Sequence, residues 1–223
     1  MPFGPVAPAR AQVSASASLT SDYQYRGVSL SDGEPALAVN IAYDRAGGGY
    51  VGGSGIAEET AADGPRVLGH VEYVGYSRRI DTDRTWDVGV INQGVDKYYD
   101  RRYSFDYVQA YTGIITRTFS YYIYYAPDYF GSGLQSLYAE VNGAFRPARR
   151  WRVFGHLGAL AAFGGSDRAE GARQKYDLRA GFAAQFERVE LQLAWTTVLP
   201  DAGYLAGRPQ SRAALVASAS FDF

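Results

Sequence analysis

The sequence predicts an all-β fold, an up-and-down antiparallel transmembrane β-barrel of about twelve strands. Three observations support this prediction. Apolar and polar residues alternate along most of the chain, long connections alternate with short ones, and the 223 residues include 26 Gly and 19 Tyr. Tyrosine is enriched in strands, whereas glycine is a poor helix former. Together these observations favour many strands that each have one apolar and one polar face.

Reading the alternation along the chain predicts strands at 13–24, 36–45, 50–57, 67–80, 85–95, 105–116, 118–126, 135–146, 151–162, 175–187, 189–199 and 211–223. The first places Val13, Ala15, Ala17 and Leu19 on one face, and the second places Leu37, Val39, Ile41 and Tyr43. The eleventh is the clearest, with Val189, Leu191, Leu193 and Trp195 opposite Glu190, Gln192, Ala194 and Thr196. The sixth is apolar on both sides, so its facing stays ambiguous.

The connections between these strands fall into two classes. The short ones lie at 46–49, 81–83, 116–118, 147–150 and near Arg188, and the long polar ones at 25–35, 58–66, 96–104, 127–134, 164–174 and 200–210. Barrels of the bacterial outer membrane have short periplasmic turns and longer external loops. The sequence therefore predicts an outer-membrane barrel with both chain ends on the periplasmic side.

Composition excludes several other classes of protein. The chain has no cysteine, which excludes a disulfide framework and a Cys-based zinc site, and its net charge of −1 offers no general attraction to nucleic acid. No apolar run approaches the ~20 residues of a transmembrane helix. A mean hydropathy of −0.23 is compatible with a membrane barrel, because only alternate residues of such a barrel are apolar.

The two ends of the sequence suggest export and assembly. Residues 1–11, which end in Ala9-Arg10-Ala11, are predicted to be either the remnant of a signal peptide or a disordered tail, followed by one barrel domain at 12–223. The last predicted strand carries Phe221 and ends in Phe223. It resembles the signal read by the outer-membrane barrel assembly machinery, which is therefore a predicted partner, as is outer-membrane lipid.

The stretch from Ser21 to Ala36 carries a resemblance to a known family. Ser21-Asp22-Tyr23, Arg26-Gly27, Ser29, Ser31-Asp32-Gly33 and Pro35-Ala36 resemble the N-terminal hallmark of the TorF-type porin family of proteobacteria. The run GGGYVGGSG at 47–55 resembles the strand that follows this hallmark. The resemblance implies an outer-membrane barrel and leaves its substrate open.

Alternation assigns the candidate pore-lining and rim residues. They are Asp22, Arg26, His70, Glu72, Tyr122, Tyr124, Glu140, Arg152, His156, Asp177, Arg179, Glu190 and Arg212. We expect His70 and Glu72 to face inward as a polar pair, although such a pair is also compatible with a hydrolase or a metal site. Tyr122 and Tyr124 are expected to face inward, where they can stack on sugars. Because the inward charges include both signs, the sequence predicts no strong ion selectivity.

These residues favour a narrow porin for small polar solutes, without a metal, a cofactor or a nucleic-acid partner. Small inward residues favour a water-filled lumen: Ser14, Ser16, Ser18, Ala38, Gly158, Ala183 and Ala194. Arg26 is expected to turn back into the mouth of the barrel and pair with Asp22 or another rim carboxylate. Two alternatives stay open, an outer-membrane lipid or ester hydrolase that uses a histidine, and a plugged structural or adhesive barrel.

Overall fold

Twelve long strands form one closed antiparallel barrel, in which each strand pairs with the next and the last pairs with the first. The computed structural model describes residues 12–60, 64–96, 104–164, 174–199, 204–205, 208–209 and 213–223. The barrel strands are β1 (Gln12–Thr20), β2 (Ala36–Asp44), β3 (Gly49–Thr60), β4 (Gly64–Arg79), β5 (Thr85–Asp96), β6 (Ser104–Ile115), β7 (Phe119–Ala126), β8 (Gln135–Ala148), β9 (Trp151–Phe163), β10 (Gln174–Phe186), β11 (Val189–Leu199) and β12 (Ala213–Asp222).

The predicted strand count and fold class are confirmed, and most strand ends lie within three residues of the prediction. β1 is the main exception, because it ends at Thr20 rather than at residue 24. The N–H of Ser21 still bonds the carbonyl of Ala217, and the chain then leaves the barrel wall. Residues 1–11, and with them the predicted signal remnant, lie outside the described part of the chain.

The short connections all lie at one end of the barrel, together with both ends of the described chain. The tightest is the two-residue turn Glu187–Arg188 between β10 and β11, in which Glu187 adopts a left-handed φ of 55°. Glu187 is an exposed residue of this turn. Within the described residues, no helix is long and apolar enough to cross a bilayer.

The outer face of the barrel is predominantly apolar. Residues such as Val39 and Ile41 on β2, Ile123 on β7, Leu157 on β9 and Leu215 on β12 point away from the lumen and are at least half exposed. A closed sheet pairs its backbone groups internally, and an exposed apolar belt around it is what a bilayer covers. The fold is therefore that of a membrane-spanning barrel.

A β-bulge in β4 reverses the facing of the residues that follow it. Val67 pairs with Ala57 and Gly69 pairs with Ile56, so Leu68 is an extra residue without a partner on β3. Successive side chains of a strand point alternately to the lumen and to the outside. One inserted residue therefore reverses this order for all the residues of β4 that follow it. His70 pairs with outward-facing Gly55, and the prediction that His70 faces the lumen is therefore wrong.

The facing of β11 gives the first testable prediction. Leu193 is paired with Phe182 and Ala217 on the outer face, whereas the neighbouring Gln192 lies on the inner face. We expect Leu193→Arg to lower the free energy of unfolding by ~2–4 kcal/mol, because an Arg in the lipid-facing belt loses its hydration. Gln192→Arg should cost far less. Urea unfolding in lipid vesicles compares the two variants, and equal costs would contradict the assigned facing.

Candidate functional site

The first long connection, which we call L1 (residues 21–35), folds into the lumen as a small hairpin. Gln24–Tyr25 pairs with Val28–Ser29, and Arg26 and Gly27 form the tip with φ values of 49° and 73°. Two consecutive left-handed residues are the requirement of a two-residue type I′ turn. The Arg26-Gly27 dipeptide therefore directs the tip of L1 inward.

Asp22 holds the base of the L1 hairpin together. Its carboxylate accepts hydrogen bonds from Gln24 Nε2 at 2.5 Å and from the hydroxyls of Ser29 and Ser31 at 2.6 and 3.1 Å. The Ser31 hydroxyl also accepts from the N–H of Tyr23 at 2.8 Å. The carboxylate is buried and occupied by these donors, so Asp22 organises the loop.

The expected ion pair of Arg26 with Asp22 or another rim carboxylate is absent from the described residues. Arg26 sits at the opposite end of the hairpin and points across the lumen. Its Nη2 donates to Gln109 Oε1 on β6 at 2.6 Å. Gln109 is only 2% exposed, and its own Nε2 donates to Gln93 Oε1 at 2.9 Å, which fixes the amide with its oxygen towards Arg26.

Three tyrosine rings surround the Arg26 guanidinium. Its Cζ lies 3.8 Å from the ring centroid of Tyr138, 4.9 Å from that of Tyr25 and 5.5 Å from that of Tyr124. We call these three rings and the Gln109 amide the Tyr cage. Cations over aromatic faces within about 6 Å are attracted by the ring quadrupole, and the attraction grows when water is excluded.

Two carboxylates lie behind the rings of the Tyr cage. The Tyr138 hydroxyl donates to Asp177 at 3.1 Å, and the Tyr124 hydroxyl donates to Glu140 at 3.2 Å. Each phenol is thus polarised by an acceptor, which strengthens the attraction of its ring for a cation. Burial raises the pKa of Tyr25, so this phenol of the cage stays neutral. The positive charge of Arg26 is balanced through the phenols rather than by a direct ion pair.

L1 reaches from one wall of the barrel to the opposite one. Near its base, Tyr23 and Leu30 pack on the buried residues Ile56 and Leu68 of β3 and β4. At its tip, a Cβ added to Gly27 would lie 3.0 Å from Asp177 Cβ and 3.0 Å from the carbonyl oxygen of Thr197, on β10 and β11. The hairpin therefore crosses the lumen in its external half and obstructs it.

A second cluster of tyrosines lies closer to the short turns. Asp87 on β5 accepts from Tyr50 at 2.6 Å and from Tyr122 at 2.8 Å, and the hydroxyls of Tyr50 and Tyr111 bond each other. Tyr50 is consequently luminal. Asp87 was not among the predicted site residues, although its inward position on β5 follows from the alternation.

The facing wall on β9 to β11 carries basic groups. Arg152 Nη2 donates to Glu190 at 2.5 Å. The Cζ atoms of Arg152 and Arg179 lie 5.0 and 5.4 Å from the ring centroid of Phe154. The lumen thus combines a tyrosine-rich side around Asp87 with a wall on which both guanidinium and carboxylate groups lie. Arg212, which was expected to add to these cations, lies outside the described residues.

His156 is luminal and fully occupied by acceptors. Its Nδ1 lies 2.7 Å from Asn142 Oδ1, and its Nε2 lies 2.7 Å from Asp177 Oδ1. Asn142 Nδ2 donates to Glu140 at 3.1 Å, which keeps Oδ1 turned towards the imidazole. Both ring nitrogens are thus engaged by neighbouring polar groups, and the described contacts of His156 include no serine hydroxyl, so no serine nucleophile stands beside this imidazole.

His70 and Glu72 lie together on the outer face instead of in the lumen. Their side chains are 45% and 58% exposed, and His70 Nε2 is 3.6 Å from Glu72 Oε1. Asn92 Nδ2 donates to Glu72 at 2.9 Å. On the same strand, exposed Val67 precedes these residues and exposed Val74 and Tyr76 follow them, so the pair interrupts the apolar belt.

The outward position of Glu72 gives a second prediction. We expect Glu72→Leu to raise the free energy of unfolding in lipid vesicles by about 1 kcal/mol, because it removes a carboxylate from the lipid-facing belt. Urea titration in vesicles measures this difference, and Val74→Leu is the control, since it changes only apolar volume on the same face. A loss of stability in Glu72→Leu would mean that the contacts of Glu72 with Asn92 and His70 outweigh the cost of a carboxylate in the lipid-facing belt.

The small luminal residues divide into two groups. Ser14, Ser16 and Ser18 of β1 are at least partly exposed, which suits water in that part of the lumen. Gly158, Ala183 and Ala194 are buried. A Cβ on Gly158 would overlap the Tyr138 hydroxyl and Asp177, so this glycine makes room for the wall of the Tyr cage rather than for water.

Tyr25, Gln109 and Tyr138 were not predicted as partners of Arg26. The alternation of residues along β6 and β8 places Gln109 and Tyr138 in the lumen. The sequence does not indicate how deeply L1 extends into the lumen. Phe221 and Phe223 lie at the end of β12, with ring centroids 5.0 Å apart. Their role in assembly stays a prediction.

Comparison with known proteins supports the same architecture. The profile of a family described as "Bacterial protein of unknown function (Gcw_chp)" matches residues 5–208. No curated protein matches the chain.

Among solved structures, the NanC porin aligns over 95% of this chain and 99% of its own, with a TM-score of 0.62 and 9% identity. The COG4313 outer membrane channel from Pseudomonas putida F1 aligns over 100% of both chains, with a TM-score of 0.53 and 12% identity. The KdgM porin, in complex with disordered oligogalacturonate, aligns over 95% and 99%, with a TM-score of 0.52 and 8% identity. At identities this low, the structural similarity shows a shared fold and nothing more.

Proposed function

The chain belongs to the Gcw_chp family of bacterial proteins, and we propose that it is a narrow outer-membrane porin for small polar solutes whose lumen is gated by L1. The observation that carries this proposal is the L1 hairpin, which crosses a polar lumen and is held there by non-covalent contacts of Arg26. An apolar outer belt and the likeness in fold to porins support the location and the class.

The lumen is suited to conduction once L1 moves. Near its tip, L1 contacts the barrel through hydrogen bonds of Arg26 and Tyr25 with Gln109, through a bond between the hydroxyls of Tyr25 and Tyr107, and through ring faces. Partly exposed serines line β1. Twelve strands lie between eight-stranded barrels, which side chains fill, and sixteen-stranded porins, which leave a channel. Whether this barrel conducts therefore depends on what fills its lumen. L1 is a loop, and unlike the side chains of the wall it can move out of the lumen.

The TorF-type assignment remains part of this proposal. The residues that carry the resemblance build L1: Asp22 with Ser29 and Ser31 forms its base, and Arg26-Gly27 forms its tip. In this interpretation the hallmark is the sequence of a luminal hairpin, and proteins that share it are expected to share the gate.

A permanently plugged structural barrel is the second candidate, because L1 spans the lumen from wall to wall. The hydrolase alternative is less favoured, since both nitrogens of His156 face acceptors and His70 lies on the outer face. We therefore propose that the protein is not an enzyme.

Single-channel recording in planar bilayers tests the proposal. A porin gated by L1 should show brief openings, and deletion of residues 24–29 from L1 should increase the open time without loss of the barrel, which heat-modifiable gel mobility monitors. If only the deletion variant conducts, L1 is a permanent plug and the structural barrel is favoured, and if neither protein conducts, the porin is rejected. His156→Ala provides the test for catalysis, because conductance should persist in this variant, whereas an enzyme would lose turnover.

A further inference from the structure

We propose that the Tyr cage is a binding site for organic cations that carry a guanidinium or ammonium group, and that Arg26 occupies this site as a tethered competitor. This inference rests on the proposed function in one respect: if the protein is a porin, the cage indicates which class of solute the pore admits. The cage itself is a feature of the described side chains.

The shape of the cage fits a planar cation. Its three rings lie at 3.8, 4.9 and 5.5 Å from the guanidinium carbon, and the Gln109 oxygen accepts one N–H at 2.6 Å. None of these contacts uses the stem of Arg26 or its backbone. A free guanidinium group of the same size can therefore make the same contacts.

The charge around the cage selects for a cation. Asp177 and Glu140 accept hydrogen bonds from the cage phenols, and in the described residues no direct ion pair joins either carboxylate to Arg26. His156 lies 2.7 Å from Asp177, and Asn142 lies 3.1 Å from Glu140. If the cage held a neutral or anionic occupant, both carboxylates would lose the cation that their phenols face.

The present occupant is held in a way that permits exchange. Arg26 has a left-handed φ of 49°. This backbone conformation is energetically unfavourable for any residue other than glycine. Its cage contacts are made by the guanidinium, and withdrawal of the hairpin tip would carry Arg26 and Tyr25 away and leave Tyr138, Tyr124 and Gln109 open to a free cation. A short tether gives an effective concentration in the millimolar range, and a free cation must reach about that concentration to compete.

The path beyond the cage suits the same class of solute. Asp87 lies on the same side of the lumen, where Tyr50 and Tyr122 donate to it at 2.6 and 2.8 Å. Aromatic faces with a carboxylate among them repeat the chemistry of the cage. A cation released from the cage therefore meets a second acidic, tyrosine-lined position on its way to the end of the barrel with the short turns.

Calorimetric titration of methylguanidinium into the purified, folded protein in detergent tests the proposal. Arg26→Ala vacates the cage, and we expect saturable binding to this variant. Binding to the wild type should be at least about tenfold weaker, because Arg26 competes. Removal of a cage ring, in Arg26→Ala/Tyr138→Leu or Arg26→Ala/Tyr124→Leu, should abolish the binding, and acetate should bind to none of the variants.

Arg117→Ala is the matched control, since it removes a guanidinium from an exposed turn, where Arg117 pairs with Asp83 at 2.6 Å. This variant should behave like the wild type. The proposal is overturned if folded Arg26→Ala shows no saturable binding, or if binding survives the loss of either ring. The assay needs no conduction, so binding without channel activity would reject the porin and retain the cage, and channel activity without binding would reject the cage alone.

Discussion

Arg26→Ala is expected to increase the ratio of open to closed channels in planar bilayers by about 100-fold, while the barrel remains folded. The cation–π contacts of a desolvated Arg contribute about 1–2 kcal/mol, and a hydrogen bond from a charged donor contributes about 1.5–3 kcal/mol. Alanine removes both from the closed position of L1 only. A loss of about 3 kcal/mol changes a two-state equilibrium by about two orders of magnitude.

Arg26→Lys separates charge from shape in the same experiment. Lysine keeps the positive charge but lacks the planar group that stacks on Tyr138 and bonds Gln109, so its open fraction should lie between those of the wild type and Arg26→Ala. Limited proteolysis of L1 provides an independent measurement, because a released hairpin is accessible to protease. If Arg26→Ala changes neither conductance nor cleavage of L1, Arg26 does not hold the gate.

The barrel itself could be predicted because its physical cause is local in sequence. Each strand must present an apolar face to lipid and a polar face to the lumen, and this requirement appears directly as alternation. β11 illustrates the point, since its predicted and observed ends coincide at residues 189 and 199. The alternation of short and long connections then supplied the topology.

The facing of His70 and Glu72 could not be predicted, because one inserted residue is invisible to alternation. Leu68 is apolar, as its neighbour Val67 is, and a run of two apolar residues does not reveal which one lacks a partner. The bulge places Leu68 inward against L1, in the cluster with Ala36 and Ile56. The residues of β4 that face the lumen therefore depend on a contact with L1, and the alternation of β4 alone carries no information about that contact.

The path of L1 was only partly predictable for the same reason. Arg26 was expected to turn inward, and the described hairpin places it in the lumen. The partner was wrong because Asp22 and Arg26 are close in sequence but lie at opposite ends of a hairpin. The true partners, Gln109 and Tyr138, lie on β6 and β8, and a single sequence carries no local signal for such distant contacts.

Gly27→Ala is expected to expel the tip of L1 and to increase both conductance and protease cleavage of L1 by about tenfold or more. The new Cβ would lie 3.0 Å from Asp177 Cβ, 3.0 Å from the Thr197 carbonyl oxygen and 3.1 Å from Val198 Cβ, which are close contacts with the barrel wall. The φ of 73° adds a backbone penalty of about 1 kcal/mol for any residue with a Cβ. Both effects oppose the closed position of the hairpin.

Gly33→Ala is the control that separates these two effects. Gly33 has a left-handed φ of 82°, but a Cβ added there meets no atom within 4 Å. It therefore carries the backbone penalty without the contact with the wall, and it should leave conductance near that of the wild type. If the two alanine variants open the channel equally, backbone strain in L1 explains the effect. A larger effect of Gly27→Ala alone means that close approach to β10 and β11 keeps the gate closed.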